Sequence, residues 1–278
     1  MTQTNESKPV LMFDSGIGGL TVLREARVLI PERGFIYVAD DAGFPYGDWE
    51  EPALRERVIA LFAKLLDEYD PEVCVISCNT AFTLVGADLR ETFPKMTFVG
   101  TVPAIKPAAQ TTRTGYISVL ATPATVARDY TRDLIETYAA GCKVNLVGSR
   151  RLAGFAEAEL AGSPVRDEEL LNELRPCFVE DTGGRTDVVA LSCTHYPLLL
   201  SRFQALAPWP VTWIDPAPAI ARRVTQLIGQ PVPGHEADEN EAIAMFTSGA
   251  GISLALRGAL QEKGLPLVAV EDMPLLVG

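Results

Sequence analysis

Val73-Cys74-Val75-Ile76-Ser77-Cys78-Asn79-Thr80 and Val188-Val189-Ala190-Leu191-Ser192-Cys193-Thr194-His195 share one plan. Each is an apolar run, then Ser-Cys, then a polar pair able to begin a helix. Apolar runs without alternation read as strands buried on both faces of a parallel sheet. The two cysteines lie 115 positions apart, and Pro103-Ala104-Ile105 returns as Pro218-Ala219-Ile220 at the same spacing. Each triplet follows an apolar strand end, Phe98-Val99 or Trp213-Ile214. Asp14, at the end of the first apolar run, has a counterpart near Thr122, with the spacing shifted by a loop length. The repeat predicts two similar half-proteins with boundaries near 100 and 213.

The same rhythm extends along the chain. Val10–Phe13 reads as a buried strand, and after a turn at Asp14-Ser15-Gly16-Ile17-Gly18-Gly19, Leu20–Ile30 reads as a helix. Phe35–Ala39 is a second strand. Pro52–Tyr69 has helical periodicity, with Leu54, Val58, Leu61, Phe62 and Leu65 on one face. Tyr116–Leu120 and Val144–Val147 are further strands. Strands alternating with helices predict the α/β class: two pseudo-symmetric, open parallel-sheet domains facing each other across a cleft. A length of 278 residues accommodates two domains.

Composition narrows the function classes. Asp and Glu number 36 against 24 Lys and Arg, a net charge of −12, with no basic cluster of the kind that grips nucleic acid. The start of the chain, Met1 to Pro9, is polar, and no run approaches 18 apolar residues, so a cytoplasmic location without membrane contact is expected. The five cysteines, Cys74, Cys78, Cys142, Cys177 and Cys193, are odd in number and sparse, unlike a disulfide framework. No Cys-x-x-Cys occurs and the histidines are His195 and His235, so no metal site is expected. Catalytic or merely buried thiols remain.

In open α/β sheets ligands bind beyond the carboxyl ends of the strands. Cys78 and Cys193 sit at such ends, where a helix start is expected to lower a thiol's pKa and to offer N–H groups to a carboxylate. Asn79, Thr80 and Thr194 add side-chain donors beside the thiols, and Ser15 is a further candidate. If the halves face each other, a substrate between them has a base on one face and an acid on the other, which suits inversion at one carbon. A lone cysteine at a strand end is most often a small buried hydrophobe; the repeat favours catalysis for these two and leaves Cys74, Cys142 and Cys177 as packing residues. His195 is a candidate to hold or trade a proton at Cys193. Asp14 caps the following helix or tunes the proton of Cys78. In Pro45-Tyr46-Gly47, the Tyr46 hydroxyl and the Gly47 N–H are candidates to hold a substrate carboxylate. Gly16-x-Gly18-Gly19 keeps a nicotinamide enzyme as an alternative, with Asp40 or Asp41 as the ribose-binding acid, although Thr21 stands where the dinucleotide pattern wants glycine. The preferred reading is a tight turn that lets backbone approach a small ligand.

Together these segments resemble glutamate racemases, of the cofactor-independent aspartate/glutamate racemase superfamily. The resemblance is carried by Phe13–Leu20, Pro45–Gly47, Cys78-Asn79-Thr80-Ala81, Val102–Ala108, Ala121–Val126 and Cys193-Thr194-His195-Tyr196-Pro197-Leu198-Leu199, in order, with a weaker match at Ile214-Asp215-Pro216. It implies interconversion of L- and D-glutamate without a cofactor, supplying D-glutamate for peptidoglycan. It implies Cys78 and Cys193 as the two proton donor/acceptors, with Asp14 supporting the first and His195 the second. Substrate contacts carry over to Asp14, Ser15, Tyr46, Gly47, Asn79, Thr80, Thr194 and His195, with Thr122 and Thr125 as further contacts. The implied domains are 1–99 plus 213–278, with Cys78, and 100–212, with Cys193. A homodimer is compatible with the resemblance. Two stretches depart from the family pattern: the run after Cys142, where Val147-Gly148-Ser149-Arg150-Arg151-Leu152 precedes an acidic helix at Gly154–Leu160, and the Pro- and acid-rich stretch from Gly229 to Asn240.

Other readings stay open at this point. One is a racemase of aspartate or another small acid. Another is a cysteine hydrolase using Cys193 and His195, disfavoured because residues two apart rarely point at each other. A third is a non-catalytic protein of two lobes that binds its ligand without exchanging protons.

Overall fold

A computed structural model describes residues 8–228, 242–271 and 273. The Gly229–Asn240 stretch, with His235, lies outside the described residues. The chain alternates as the periodicity predicts. β1 (Val10–Asp14) turns into α1 (Leu20–Leu29), β2 (Phe35–Ala39) leads to α2 (Glu51–Tyr69), and β3 (Val73–Ile76) to α3 (Asn79–Thr92). β4 (Phe98–Gly100) and α4 (Ile105–Thr111) lead into β5 (Tyr116–Ala121), α5 (Pro123–Ala127) and α6 (Asp129–Tyr138). β6 (Lys143–Gly148) precedes α7 (Leu152–Leu160) and α8 (Asp167–Leu174), followed by a small hairpin, β7 (Glu180–Asp181) and β8 (Gly184–Arg185). β9 (Val188–Ser192) leads to α9 (Leu200–Leu206), β10 (Thr212–Ile214) to α10 (Ala217–Leu227), and β11 (Ala242–Phe246) through α11 (Leu254–Glu262) to β12 (Leu267–Val270).

Two parallel sheets result. The first has the order β12-β11-β2-β1-β3-β4, the second β10-β9-β5-β6. All pairings within them are parallel. The series β2-β1-β3-β4 and β6-β5-β9-β10 have the same order, so the repeat read in the sequence is a repeat of topology. β11 and β12 then extend the first sheet alone.

The central strands β1, β2, β3 and β9 are buried along their length because both faces are covered, whereas β6 and β12 at the sheet edges are mostly half-buried or exposed. Val10 and Met12 of β1 pack in one core with α1 and α10, while Leu11 and Phe13 pack in another with α2 and α3. The predicted α2 stripe, Leu54, Val58, Leu61, Phe62 and Leu65, is buried in that second core, each residue contributing roughly 1.5–3 kcal/mol. The second sheet is covered likewise, with Val189 and Leu191 on one face and Val188 and Ala190 on the other. Among the described residues no helix is long and apolar enough to cross a membrane.

This architecture brings the carboxyl ends of β1, β3, β5 and β9 together. Asp14 ends β1, Cys78 is the N-cap of α3 after β3, Thr122 follows β5, and Cys193 follows β9. After Cys193 the expected helix does not start at once. The chain first makes a 3-10 turn over Tyr196–Leu199, in which Pro197 supplies no backbone donor, and α9 begins only at Leu200.

Candidate active site

Between the two sheets lies a small cavity of about 30 Å³, lined from one side by Ser15, Phe44, Pro45, Tyr46, Gly47, Cys78, Asn79 and Thr80. The other side supplies Thr122, Ala153, Cys193, Thr194 and His195. A larger cavity of about 500 Å³ opens around Thr101–Pro107 and Ile214–Arg223. Among the described residues its lining includes neither thiol nor imidazole. Cys74, Cys142 and Cys177 line neither.

On the first side, Ser15 Oγ lies 3.6 Å from Cys78 Sγ. Asp14, fully buried, accepts from the Gly16 N–H at 3.3 Å and from Thr194 Oγ1 at 2.8 Å, the second bond crossing between the two halves. Burial raises the Asp14 carboxyl above the usual carboxylate range, although His195 and the Thr194 hydroxyl oppose it. Asp14 does not cap α1, whose N-cap is Gly19 with no side-chain bond. The expectation that a helix start lowers the thiols is overturned for Cys78. Burial, with the nearby Asp14, pushes it up to about 12, outweighing the Ala81 N–H and the Ser15 hydroxyl. Removing water from a thiolate outweighs the first turn of α3.

That shift has a stability consequence. Below the unfolded chain's thiol pKa of about 8.5 both states hold the proton, and Cys78 adds no pH dependence. Above it the unfolded chain releases a proton that folded Cys78 keeps. Stability therefore falls as pH rises from about 8.5 toward 12, by about 1.4 kcal/mol per unit for this group. Urea unfolding at pH 9 and pH 10 is expected to show a loss about 1.2 kcal/mol smaller in Cys78→Ala than in the wild type. Equal losses would contradict the assignment.

On the second side, Cys193 Sγ lies 3.8 Å from His195 Nδ1. Residues two apart were expected rarely to point at each other, yet Cys193 and His195 do. β9 has already ended at Ser192, and the turn folds His195 back. His195 Nε2 is 2.8 Å from Glu157 Oε1, and the same oxygen accepts the Ile17 N–H at 2.8 Å. Burial alone would lower the His195 imidazole, but the hydrogen bonds to Cys193 and Glu157 raise it well above its ordinary value. Its ring also packs against Phe44, with centroids 5.5 Å apart.

Glu157 was not among the residues singled out from sequence. It lies in the acidic helix noted as a departure, now α7, and no local spacing connects it to Ile17, 140 positions away. The glycine turn offers the missing signal. A Cβ on Gly16 would collide with Glu157 Oε1, and one on Gly18 would lie 2.5 Å from His195 Nδ1. These glycines make room for side chains of the other half.

The remaining candidates divide. Asn79 is buried, and neither its Oδ1 nor its Nδ2 has a hydrogen-bond partner. Thr80 Oγ1 lies 3.0 Å from Thr122 Oγ1. Thr125 is fully buried behind this pair, 3.1 Å from Thr122 and 3.5 Å from Thr80, and does not line the cavity. The Tyr46 hydroxyl does not point to a substrate carboxylate: it donates to Asp40 Oδ2 at 2.5 Å. Tyr46 and Gly47 still wall the cavity, by ring and backbone. The nicotinamide alternative loses its ribose acid, because Asp40 is engaged by Arg57 and Thr247 and Asp41 by Ser248.

Comparison with known proteins bears on these features. Residues 36–224 match the Asp/Glu/Hydantoin racemase family. The chain is 64% identical over 270 residues to the glutamate racemase of Rhizobium meliloti, spanning 97% of this chain and 96% of that protein. It is 63% identical over 274 residues to that of Sinorhizobium medicae, spanning 98% and 100%. Among solved structures, Escherichia coli glutamate racemase, in complex with L-glutamate and the activator UDP-MurNAc-Ala, superposes with a TM-score of 0.85 at 37% identity, covering 95% of this chain and 98% of that one.

Proposed function

The chain belongs to the Asp/Glu/Hydantoin racemase family and is an amino-acid racemase, an isomerase; we propose that its substrate is glutamate and that Cys78 and Cys193 are its two acid/base groups. The observation that carries the reading is that both thiols, from equivalent strand ends of two similar sheets, line one small cavity. The names of its relatives support glutamate as the substrate, and supply of D-glutamate for peptidoglycan is the role proposed with it.

In the proposed reaction a thiolate on one face takes the α-proton, and the thiol opposite delivers its own proton to the other face. The product differs in configuration and nothing is consumed. A protonated His195, 3.8 Å from Cys193 Sγ and held by Glu157, partners the Cys193 sulfur when it is a thiolate. Cys78, raised by burial, is the group held as thiol at rest. Reaction from the opposite enantiomer reverses the two roles.

The carbanion needs stabilisation as an enolate-like carboxylate. Asn79, with both amide atoms unpartnered, and the first turn of the 14-residue helix α3 supply donors on one side, whereas the Thr194 hydroxyl on the other already donates to Asp14. A cavity of about 30 Å³ has room for a few waters at most, so the halves separate before glutamate enters. Asp48–Arg150 and Glu51–Arg128 are ion pairs between the halves that this opening breaks.

The test is incubation with L-glutamate, then D-glutamate, in deuterated buffer without added cofactor, read by NMR and optical rotation. Deuterium at the α-carbon with convergence to equal enantiomers is expected. Exchange of aspartate but not glutamate would move the substrate, and silence with both would overturn the reading.

A further inference from the structure

The wall of the cavity formed by Phe44-Pro45-Tyr46-Gly47 belongs to a segment between β2 and α2 with only two short 3-10 turns, Asp41–Gly43 and Tyr46–Asp48. Such a segment holds its shape only through anchors. Its anchors converge on Asp40, which is fully buried. Asp40 Oδ2 accepts the Tyr46 hydroxyl at 2.5 Å and Arg57 Nε at 2.7 Å. Asp40 Oδ1 accepts the Thr247 hydroxyl at 2.7 Å and Arg57 Nη2 at 2.5 Å. Both carboxylate oxygens are thus occupied.

The other partners lie far along the chain. Arg57, on α2, is itself buried and also donates to the Met273 carbonyl at 3.2 Å. Its guanidinium carbon stands 5.8 Å from the Trp49 ring, and Trp49 Nε1 donates to the Gly43 carbonyl at 2.7 Å. Thr247, at the end of β11, accepts the Ala42 N–H at 3.1 Å while donating to Asp40. The Ser248 N–H donates to Asp41 Oδ1 at 2.8 Å and its hydroxyl to Asp41 Oδ2 at 2.7 Å. Gly43 is packed so closely that a Cβ there would lie 2.7 Å from Asp40 Oδ2.

A buried ion pair is a poor source of net stability, because desolvation offsets its attraction, but its directed bonds select one arrangement. Here the arrangement selected is that of a cavity wall. We propose that Asp40, Arg57 and Thr247 are positioning residues that fix the Tyr46–Gly47 wall, so that the segment after β11 contributes to substrate binding without touching substrate. The inference rests on the racemase reading of the cavity. It makes the C-terminal strands, which have no counterpart in the second sheet among the described residues, part of the binding apparatus.

Thr247→Val is the sharpest probe, since it keeps the shape and removes one hydroxyl. KM for L- and D-glutamate is expected to rise about tenfold, the effect of one lost buried hydrogen bond, with kcat within about twofold. Tyr46→Phe removes the next link of the same chain. The double variant is expected to bind no worse than the weaker-binding single variant, because both break one connection. Arg57→Lys keeps the charge but loses the fork, and is expected to raise KM as Thr247→Val does. Lowered urea stability of Thr247→Val with unchanged KM would mean a structural role only and would overturn the proposal, as would effects of Thr247→Val and Tyr46→Phe that multiply. The wild-type control separates this from the substrate assignment: if glutamate is not turned over, that reading fails, and the same KM comparison is made with aspartate.

Discussion

Cys78→Ala and Cys193→Ala are each expected to lower glutamate racemisation by about ten-thousand-fold, at the upper end of what one positioned acid/base group contributes. The reason is symmetry. Inversion needs a proton removed from one face and returned to the other, and each thiol serves one face. The equilibrium constant between enantiomers is one, so kcat/KM must be equal in both directions for the wild type and for every variant. A variant lacking one thiol cannot be slow with L-glutamate and normal with D-glutamate. The loss must appear equally from either side, which makes circular dichroism traces started from each enantiomer an internal check. Neither substitution is expected to unfold the protein, since alanine in place of a buried cysteine removes a single sulfur. Full activity in either variant would sink the two-thiol mechanism. Retained racemisation in Cys78→Ala with loss in Cys193→Ala would leave Cys193, with His195 3.8 Å away, as the one essential thiol.

Glu157→Gln is expected to lower kcat by about a hundredfold at pH 8, and by less at pH 6. Glu157 Oε1 holds both the Ile17 N–H and His195 Nε2, and it is one of the two partners that raise the imidazole well above its ordinary value. Glutamine keeps the size and an acceptor but loses the charge. His195 then releases its proton at a lower pH than in the wild type. If the imidazolium partners Cys193, activity in the variant falls as pH rises through that lower value, while the wild type holds. The alkaline limb of the kcat profile therefore moves down in pH. A profile parallel to the wild type's, with only a uniform loss, would show that the charge of Glu157 does not act through His195.

Much of the fold was legible in the residues. β1, β2, β3, β5, β6 and β9 were read to within a residue or two, because an apolar run needs no distant information, whereas the hairpin β7–β8 and the C-terminal β11 and β12 were not read. The α2 stripe was legible for the same reason, as was the topological repeat behind the Ser-Cys motifs. The site was legible where a motif sits at a strand end, and less so where a side chain's partner is remote. Thr125 lies in the matched motif yet behind the cavity, and the Tyr46 hydroxyl is turned to Asp40.

By itself the sequence determined the α/β class, the pairing of two halves and the family, since each is written in local patterns or ordered motifs. Only the tertiary structure decided which groups attend which thiol. Glu157 reaches His195 and Ile17 because α7 of one half packs on the glycine turn of the other, a contact with no trace in local spacing. It also decided the direction in which Cys78 is shifted. A helix start favours a thiolate and is visible in sequence, whereas the exclusion of water that outweighs it is a sum over neighbours from both halves and exists only once they close.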